Sequence, residues 1–196
     1  MSERLLLDGL TALMPDAPHS ALRRVATSAR LRCLKKGEIL LRAGERWSDF
    51  WWVESGLLRL YYLDQNGVES NKNFFSEKQP LWPITPALRE TDSSFFVAAL
   101  EPTRVHAVSH ATIEKEMAGE AGWTTLQLRA LQGLLDEKMW RERIFLQADA
   151  SERYQQVLVN HPMWCERIPL KHLASWLGMT DVSLSRVRAS LGLIRR

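Results

Sequence analysis

The sequence predicts an α+β chain: an N-terminal β-roll or β-sandwich with flanking helices, one long helix, and a C-terminal helix-turn-helix. Three observations carry this. Short runs separated by turn signals fill 31–108. A stretch without proline runs from about Thr124 to Ala148. Residues 170–188 read as two short helices broken by one glycine.

Residues 3–32 read as helical, in two pieces split by Pro15 and Pro18. Leu5, Leu6, Leu10 and Leu13 give the first piece an apolar side. The second starts at His19 or Ser20 and carries Leu22, Val25, Ala26 and Ala29. From Leu31 the punctuation becomes turn-like: Lys36-Gly37, Ala43-Gly44-Glu45, Glu54-Ser55-Gly56, Asp64 to Gly67 and Glu101-Pro102. Between these lie candidate strands at 38–42, 50–53, 57–63, 69–75, 95–100 and 104–108. Asn66-Gly67 between two such runs is the strongest short-range hairpin signal. Leu58, Leu60 and Tyr62 alternate with Leu57, Arg59 and Tyr61, so this strand has two usable faces. Pro80, Pro83 and Pro86 exclude a regular helix or a central strand until after Pro86. A connection this long inside a β domain is more often functional than not, the plain alternative being a surface loop with a short helix at 86–90.

A short helix over 110–117 precedes the long one. There Leu128, Leu131, Leu135, Met139 and Leu146 form an apolar stripe near heptad spacing, flanked by acids and bases. A stripe this wide does not belong to a solvated helix. It packs on the β domain or pairs with its copy in a second subunit, and a homodimer through these five residues is the expectation. Asp149 or Ser151 can cap a further helix that ends at His161-Pro162, with 163–167 as a loop.

In the helix pair, Leu170, Leu173, Ala174 and Leu177 recur at helical spacing. Gly178 stops the first helix, and Thr180 or Asp181 can cap the second. Leu184 and Val187 fall on its buried side, with Ser185, Arg186 and Arg188 elsewhere. Ala174 is small enough for two helices to cross steeply. The second helix of such a pair enters the major groove of double-stranded DNA. Charge agrees with this reading. Residues 151–196 hold seven Lys/Arg, including Arg195 and Arg196, against three Asp/Glu, whereas 1–150 hold 19 against 20. The basic excess sits where counterion release from phosphates needs it. Only 191–196 follow the second helix, too few for a full β-hairpin wing.

An apolar fraction of 45% with 25% charged residues is that of an ordinary globular protein. No run approaches the roughly 18 apolar residues of a membrane span, and the start does not resemble a signal peptide, so a cytoplasmic protein without membrane partners is expected. Cys33 and Cys165 belong to no metal-type spacing and read as free thiols, more often buried than reactive. No nucleophile–base pair, metal cluster or Gly-rich phosphate loop is visible, since Gly37, Gly44, Gly56 and Gly67 are isolated turn glycines. An enzyme, a metal site and a cofactor are therefore not expected. His106 and His110 read as structural residues rather than haem ligands.

This order of elements resembles the Crp/Fnr family of bacterial transcription regulators over nearly the whole chain. Lys36 to Leu40, Ala43-Gly44-Glu45 and Phe50 to Arg59 look like successive turns and strands of a cyclic-nucleotide-binding β-roll. Ser151 to Tyr154 and Ile168 to Gly178 look like the family's C-terminal domain, and Leu184 to Arg188 like its recognition helix. The match is closest to short members that end without a long wing, within the (winged) helix-turn-helix class. The resemblance implies three parts: a sensor roll at 1–118, a dimerisation helix at 119–148 and a DNA-binding domain at 149–196. It implies RNA polymerase as a further partner, and allostery running from the roll through the long helix.

The family's phosphate-binding cassette is where the resemblance departs. Nucleotide-binding members carry a Phe-Gly-Glu-Leu-like segment, whose Glu holds the ribose, and an Arg-Ser/Thr-Ala segment, whose Arg and amides hold the cyclic phosphate. Here the first becomes Phe75-Ser-Glu77, and Glu77 keeps the ribose position. The second has no counterpart over 91–98: Asp92 has the wrong sign and Arg89 is the nearest base. A buried phosphate without a cation is costly, so no tight cyclic-nucleotide binding is expected. A degenerate pocket at Phe75, Glu77, Trp82 and Arg89 would sense another small molecule or none. A cyclic-nucleotide-responsive regulator and a ligand-independent DNA-binding or protein-docking scaffold are the alternatives. Trp47, Trp51, Trp52 and Trp82 cluster in or beside the roll, filling its core or facing an apolar ligand. On the DNA side, Arg186 is the best base reader and Lys171 and Arg188 suit phosphates. Thr180, Ser183 and Ser185 suit phosphates or base edges, and Asp181 opens the helix. Val182 stands where many family members carry a Glu that accepts from cytosine, and would touch a thymine methyl instead.

Overall fold

The structure is a computed structural model that describes residues 2–193, so Arg195 and Arg196 of the basic excess and the end of the 191–196 tail lie outside the described residues. The chain divides into two compact units. One comprises the residues up to Leu60 with Phe74–Gly133, the other Tyr61–Asn73 with the chain from Leu134 onward.

Two helices, α1 (Ser2–Leu13) and α2 (His19–Thr27), open the chain. Eight strands follow: β1 (Arg30–Leu34), β2 (Ile39–Leu41), β3 (Asp49–Ser55), β4 (Leu58–Leu63), β5 (Glu69–Phe75), β6 (Pro80–Leu81), β7 (Phe96–Ala99) and β8 (Thr103–Ser109). They form two four-stranded sheets, ordered β1-β8-β3-β6 and β2-β7-β4-β5. Helix α3 (Pro86–Glu90) interrupts them after β6, and α4 (His110–Glu116) follows β8. The fold class read from the sequence is thus the one observed.

Strand β3 explains how one sheet serves two cores. Its side chains alternate across the sheet, as a pleat requires. Trp51 and Val53 join Leu34, Leu58, Phe95, Val97 and Val105 inside the roll. Phe50 and Trp52 point the other way, into a second core with Leu6, Leu10, Leu22, Val25, Ile113 and Trp123 from the helices. Trp52 lies so close to α1 that a Cβ on Gly9 would stand 2.5 Å from its ring. Asp64, the last residue before the hairpin loop, accepts at Oδ1 from the amides of Asn66 and Val68, which closes the Asn66-Gly67 turn expected between β4 and β5.

Beyond α4 come α5 (Ala121–Gln147), α6 (Ala150–Asn160), α7 (Pro162–Arg167), α8 (Leu170–Trp176) and α9 (Asp181–Ser190). Asp149 caps α6 in a reciprocal capping box with Glu152, one of the two caps the sequence offered. Among the described residues no helix is long and apolar enough to cross a membrane.

Three local expectations need correction. Residues 30–32 are not helical: they begin β1, which pairs antiparallel with β8 from Arg30 opposite Ala107 to Leu34 opposite Thr103. Only Leu34 of β1 is buried, so the strand exists through its ladder and carries no apolar pattern of its own. Residues 163–167 are not a loop but belong to α7, because Pro162 stands at the first helical turn, where its missing N–H is no loss. Cys33 is exposed, 3.7 Å from Arg104 Nη1, and Cys165 is half-buried, so neither is a buried thiol. Burial still pushes the Cys165 thiol above its usual value.

The turn between α8 and α9 has the tightest requirement. Gly178 has φ +69°, and a Cβ there would stand 2.5 Å from the Phe145 ring. Gly178→Ala is expected to destabilise the fold by at least about 1–2 kcal/mol through the left-handed backbone alone. Gly133→Ala, with nothing within 4 Å of the added Cβ, is expected to stabilise α5 by about 0.5–1 kcal/mol. Urea midpoints of the two variants check the opposite signs.

Candidate nucleic-acid interface

Helix α8 ends as a Schellman motif: Gly178 N donates to Ser175 O at 3.2 Å and Met179 N to Ala174 O at 3.0 Å. Thr180 then caps α9, its Oγ1 accepting from Ser183 N at 3.1 Å, an arrangement worth about 0.5–2 kcal/mol. Leu173, Ala174, Leu177 and Leu184 are buried between the helices. Ala174 has the full burial expected of a crossing residue.

Outward go Lys171, Thr180, Asp181, Val182 and Arg186, all exposed, with Val182 at 56%. Ser183 and Ser185 are half-covered. The hydroxyl of Thr180 is shared between the cap and Ser183 Oγ, 2.9 Å away. Arg188 sits differently from Arg186. It is half-buried, its Nε has no hydrogen-bond partner, and its charge acts on Tyr154 and Cys165.

Residues that the sequence reading missed hold this pair in place. Phe145 of α5 forms the floor under Gly178, with the guanidiniums of Arg141 and Arg153 at 5.2 and 4.9 Å from its ring centroid. Arg153 donates to the carbonyls of Phe145, Ala148 and Leu177, and Arg141 to that of Trp176 at 2.8 Å. Both therefore satisfy carbonyls at helix C-termini, where positive charge is favoured. Ser175 Oγ accepts from Asn71 N and donates to Glu69 O, each at 3.0 Å, fastening α8 to β5. Nothing in the spacing of Arg141, Arg153 or Ser175 marks these roles.

On α5, Leu128, Leu131, Leu135, Met139 and Leu146 are exposed by 56%, 40%, 60%, 59% and 77%. The stripe thus remains uncovered in the single chain, while Trp123, Leu126 and Ile144 of the same helix are buried.

The four pocket residues do not converge. Glu77 Oε1 accepts from Gly56 N at 2.9 Å, holding the β3–β4 turn. Arg89 Nη1 donates to Pro83 O at 3.2 Å. Phe75 lies against the roll interior, whereas Trp82 belongs to the helix-side core beside Phe50 and Trp123. Three backbone amides of the 91–95 segment are already engaged: Thr91 N with Ala87 O, Ser93 N with Glu45 O, Phe95 N with Ser93 Oγ. Asp92 faces Arg46, Oδ1 to Nε 3.8 Å. The four tryptophans split likewise. Trp47 and Trp51 stack at 5.1 Å inside the roll, edged by Phe95 at 5.8 Å, while Trp52 and Trp82 lie on its far side. His106 and His110 are buried, with His106 Nε2 2.6 Å from Glu54 and His110 Nδ1 3.5 Å from Glu114.

Residues 31–120 match the family described as the cyclic nucleotide-binding domain. No curated protein matches the chain. Among solved structures, a transcriptional regulator described as Crp/Fnr-family from Eubacterium rectale superposes with a TM-score of 0.73 at 16% identity, over 95% of this chain and 90% of that one. FixK2 from Bradyrhizobium japonicum gives 0.72 at 18% identity, over 84% of each. The c-di-GMP-responsive regulator CLP from Xanthomonas campestris gives 0.71 at 13%, over 89% and 92%. The chain has the Crp/Fnr fold.

One feature inside this Crp/Fnr frame is sensitive to pH. His161, between α6 and α7, lies flat on Trp164 at 4.0 Å and within 5.6 and 6.3 Å of Trp140 and Trp176. Burial among these rings lowers its pKa from the ordinary 6.5. As pH falls below about 6.5 the unfolded chain takes up this proton first, so folding stability drops until the lowered folded value is reached. His110, also lowered by burial, adds to the same slope. His161→Phe is expected to flatten part of the fall in melting temperature between about pH 7.5 and about pH 5.5, and an unchanged slope would refute the assignment.

Proposed function

We propose that the chain is a homodimeric, sequence-specific DNA-binding transcription regulator of Crp/Fnr type, divided functionally into 1–118, 119–148 and 149–196. The observation that carries this is α9: a capped helix, held from behind by Leu184, that turns Val182 and Arg186 to solvent. Its outer face suits the major groove, with Arg186 bidentate to guanine O6 and N7 and Val182 against a thymine methyl. Lys171 and Arg188 take phosphates, while Ser183 and Ser185 reach phosphates or base edges. Thr180 and Asp181 contribute mainly by starting the helix, because their side-chain oxygens already accept from the Ser183 and Val182 amides. The exposed stripe Leu128, Leu131, Leu135, Met139 and Leu146 is the subunit interface, since an apolar stripe of this length on one helix is stable when paired. RNA polymerase is the further partner of such a regulator, and the cytoplasm its compartment.

The roll is read as lacking a cyclic-nucleotide grip. Glu77, Arg89 and the amides of Thr91 and Ser93 serve the protein's own backbone, and the 91–98 segment carries no Arg or Lys. Titration with cyclic AMP or cyclic GMP is expected to show no saturable micromolar binding. Saturation in that range would overturn this part.

Selection of bound DNA from a random pool, with and without cell extract, tests the whole proposal by returning an operator and any effector dependence. On that operator Arg186→Ala is expected to lose about 1–3 kcal/mol and to relax one base pair. An equal loss on all sequences would reduce Arg186 to a phosphate contact. Leu135→Glu is expected to give monomers in sedimentation and to weaken operator binding by roughly 10²-fold or more, through loss of the second half-site.

A further inference from the structure

One charged residue interrupts the apolar stripe in the part of α5 that belongs to the second unit. Leu135, Met139 and Leu146 fall at the d, a and a positions of a heptad, and the d position between Met139 and Leu146 is Glu142. All four are exposed, whereas Ile144, on the opposite side of the helix, is buried. Glu142 therefore stands in the uncovered row and not against its own chain. Arg143 follows at the flanking e position and is exposed as well. Among the described residues neither Glu142 nor Arg143 makes a hydrogen bond or an ion pair.

A carboxylate loses solvation when an apolar face closes over it, so whatever covers this row must bring a cation to Glu142. A second copy of α5 does so. In a parallel pair each d side chain enters a hole lined by four residues of the facing helix, at its a, d, e and a positions. For Glu142 these are Met139, Glu142, Arg143 and Leu146 of the partner subunit. Two-fold symmetry repeats the contact in reverse. Lys138 stands at g on the rim, opposite Arg143 of the partner subunit, and Glu142 lies between these two cations. Sliding the pair by one heptad along α5 would set Asp136 against Glu142 in place of Arg143, like charge against like.

We propose that Glu142 and Arg143 form a reciprocal ion pair across the subunit seam, which fixes the two α5 helices parallel and in register. This pairing rests on the dimer read above from the stripe, since parallel helices bring both α9 helices to one end. Charge, and not apolar burial alone, then selects the register.

Sedimentation equilibrium of the full chain, at low ionic strength and without DNA, is the test. Wild type is expected to form dimers. Glu142→Gln is expected to raise the monomer–dimer Kd roughly fivefold or more, since symmetry removes two pairs per dimer, and Glu142→Arg to raise it further. Adding Arg143→Glu to Glu142→Arg restores opposite charges with the roles exchanged, and is expected to recover most of the loss. Glu166→Gln, an exposed change of the same net charge on α7, should leave Kd unchanged. A Kd for Glu142→Gln equal to or below that of wild type overturns the ion pair, and so does a double variant no tighter than Glu142→Arg. In both cases a wild-type dimer leaves the stripe interface standing. A wild-type chain that stays monomeric, or assembles beyond a dimer, overturns the ion pair and that interface together. With no DNA present, no result bears on α9.

Discussion

Presentation of α9 depends on how α8 ends. A helix terminus leaves carbonyls without partners, and two helices that cross steeply have no room for long side chains between them. Both demands meet at one place. Gly178 takes the left-handed conformation that the Schellman turn needs and leaves space for the Phe145 ring. Phe145 is flanked by two guanidiniums whose N–H groups reach the carbonyls of Phe145, Ala148, Trp176 and Leu177. Positive charge, hydrogen bonding and ring packing thus act on the same turn. The cap at Thr180 and the burial of Leu184 then set where α9 starts and which side it shows.

The first unit rests on a comparable economy. A single strand, β3, sends Trp51 and Val53 into the roll and Phe50 and Trp52 into the helical core. The indole N–H groups of Trp47, Trp51, Trp52 and Trp82 are buried without hydrogen-bond partners. These rings therefore contribute as bulk apolar surface, and each unmade bond reduces that gain by about 1–3 kcal/mol. The same strand ends at the turn that Glu77 holds. There the Glu77 carboxylate braces the Gly56 amide.

Legibility followed the kind of signal each element carries. The Asn66-Gly67 hairpin, the helix starting at Pro86, the Asp149 cap and the Gly178 stop are written in local chemistry, and all appear where the residues place them. Strand β1 was not legible, because its residues are mostly exposed and only pairing with β8 makes them a strand. Helix α7 was hidden because Pro162 both stops one helix and starts the next. The stripe on α5 could be read as apolar, but not as exposed. The pocket set was legible only by position along the chain. Trp82, two residues after Pro80, is carried to the helix-side core rather than toward Phe75.

By itself the sequence determined the α+β order of elements, the helix pair and the side of it that buries Leu184, and the apolar stripe, because period and turn chemistry are properties of neighbouring residues. Tertiary structure alone decided which groups those elements bring together. Arg141 and Arg153 became the clamps of the turn, Ser175 a fastener to β5, and Glu77 a partner of Gly56, because each contact joins segments far apart in the chain, which local patterns do not encode.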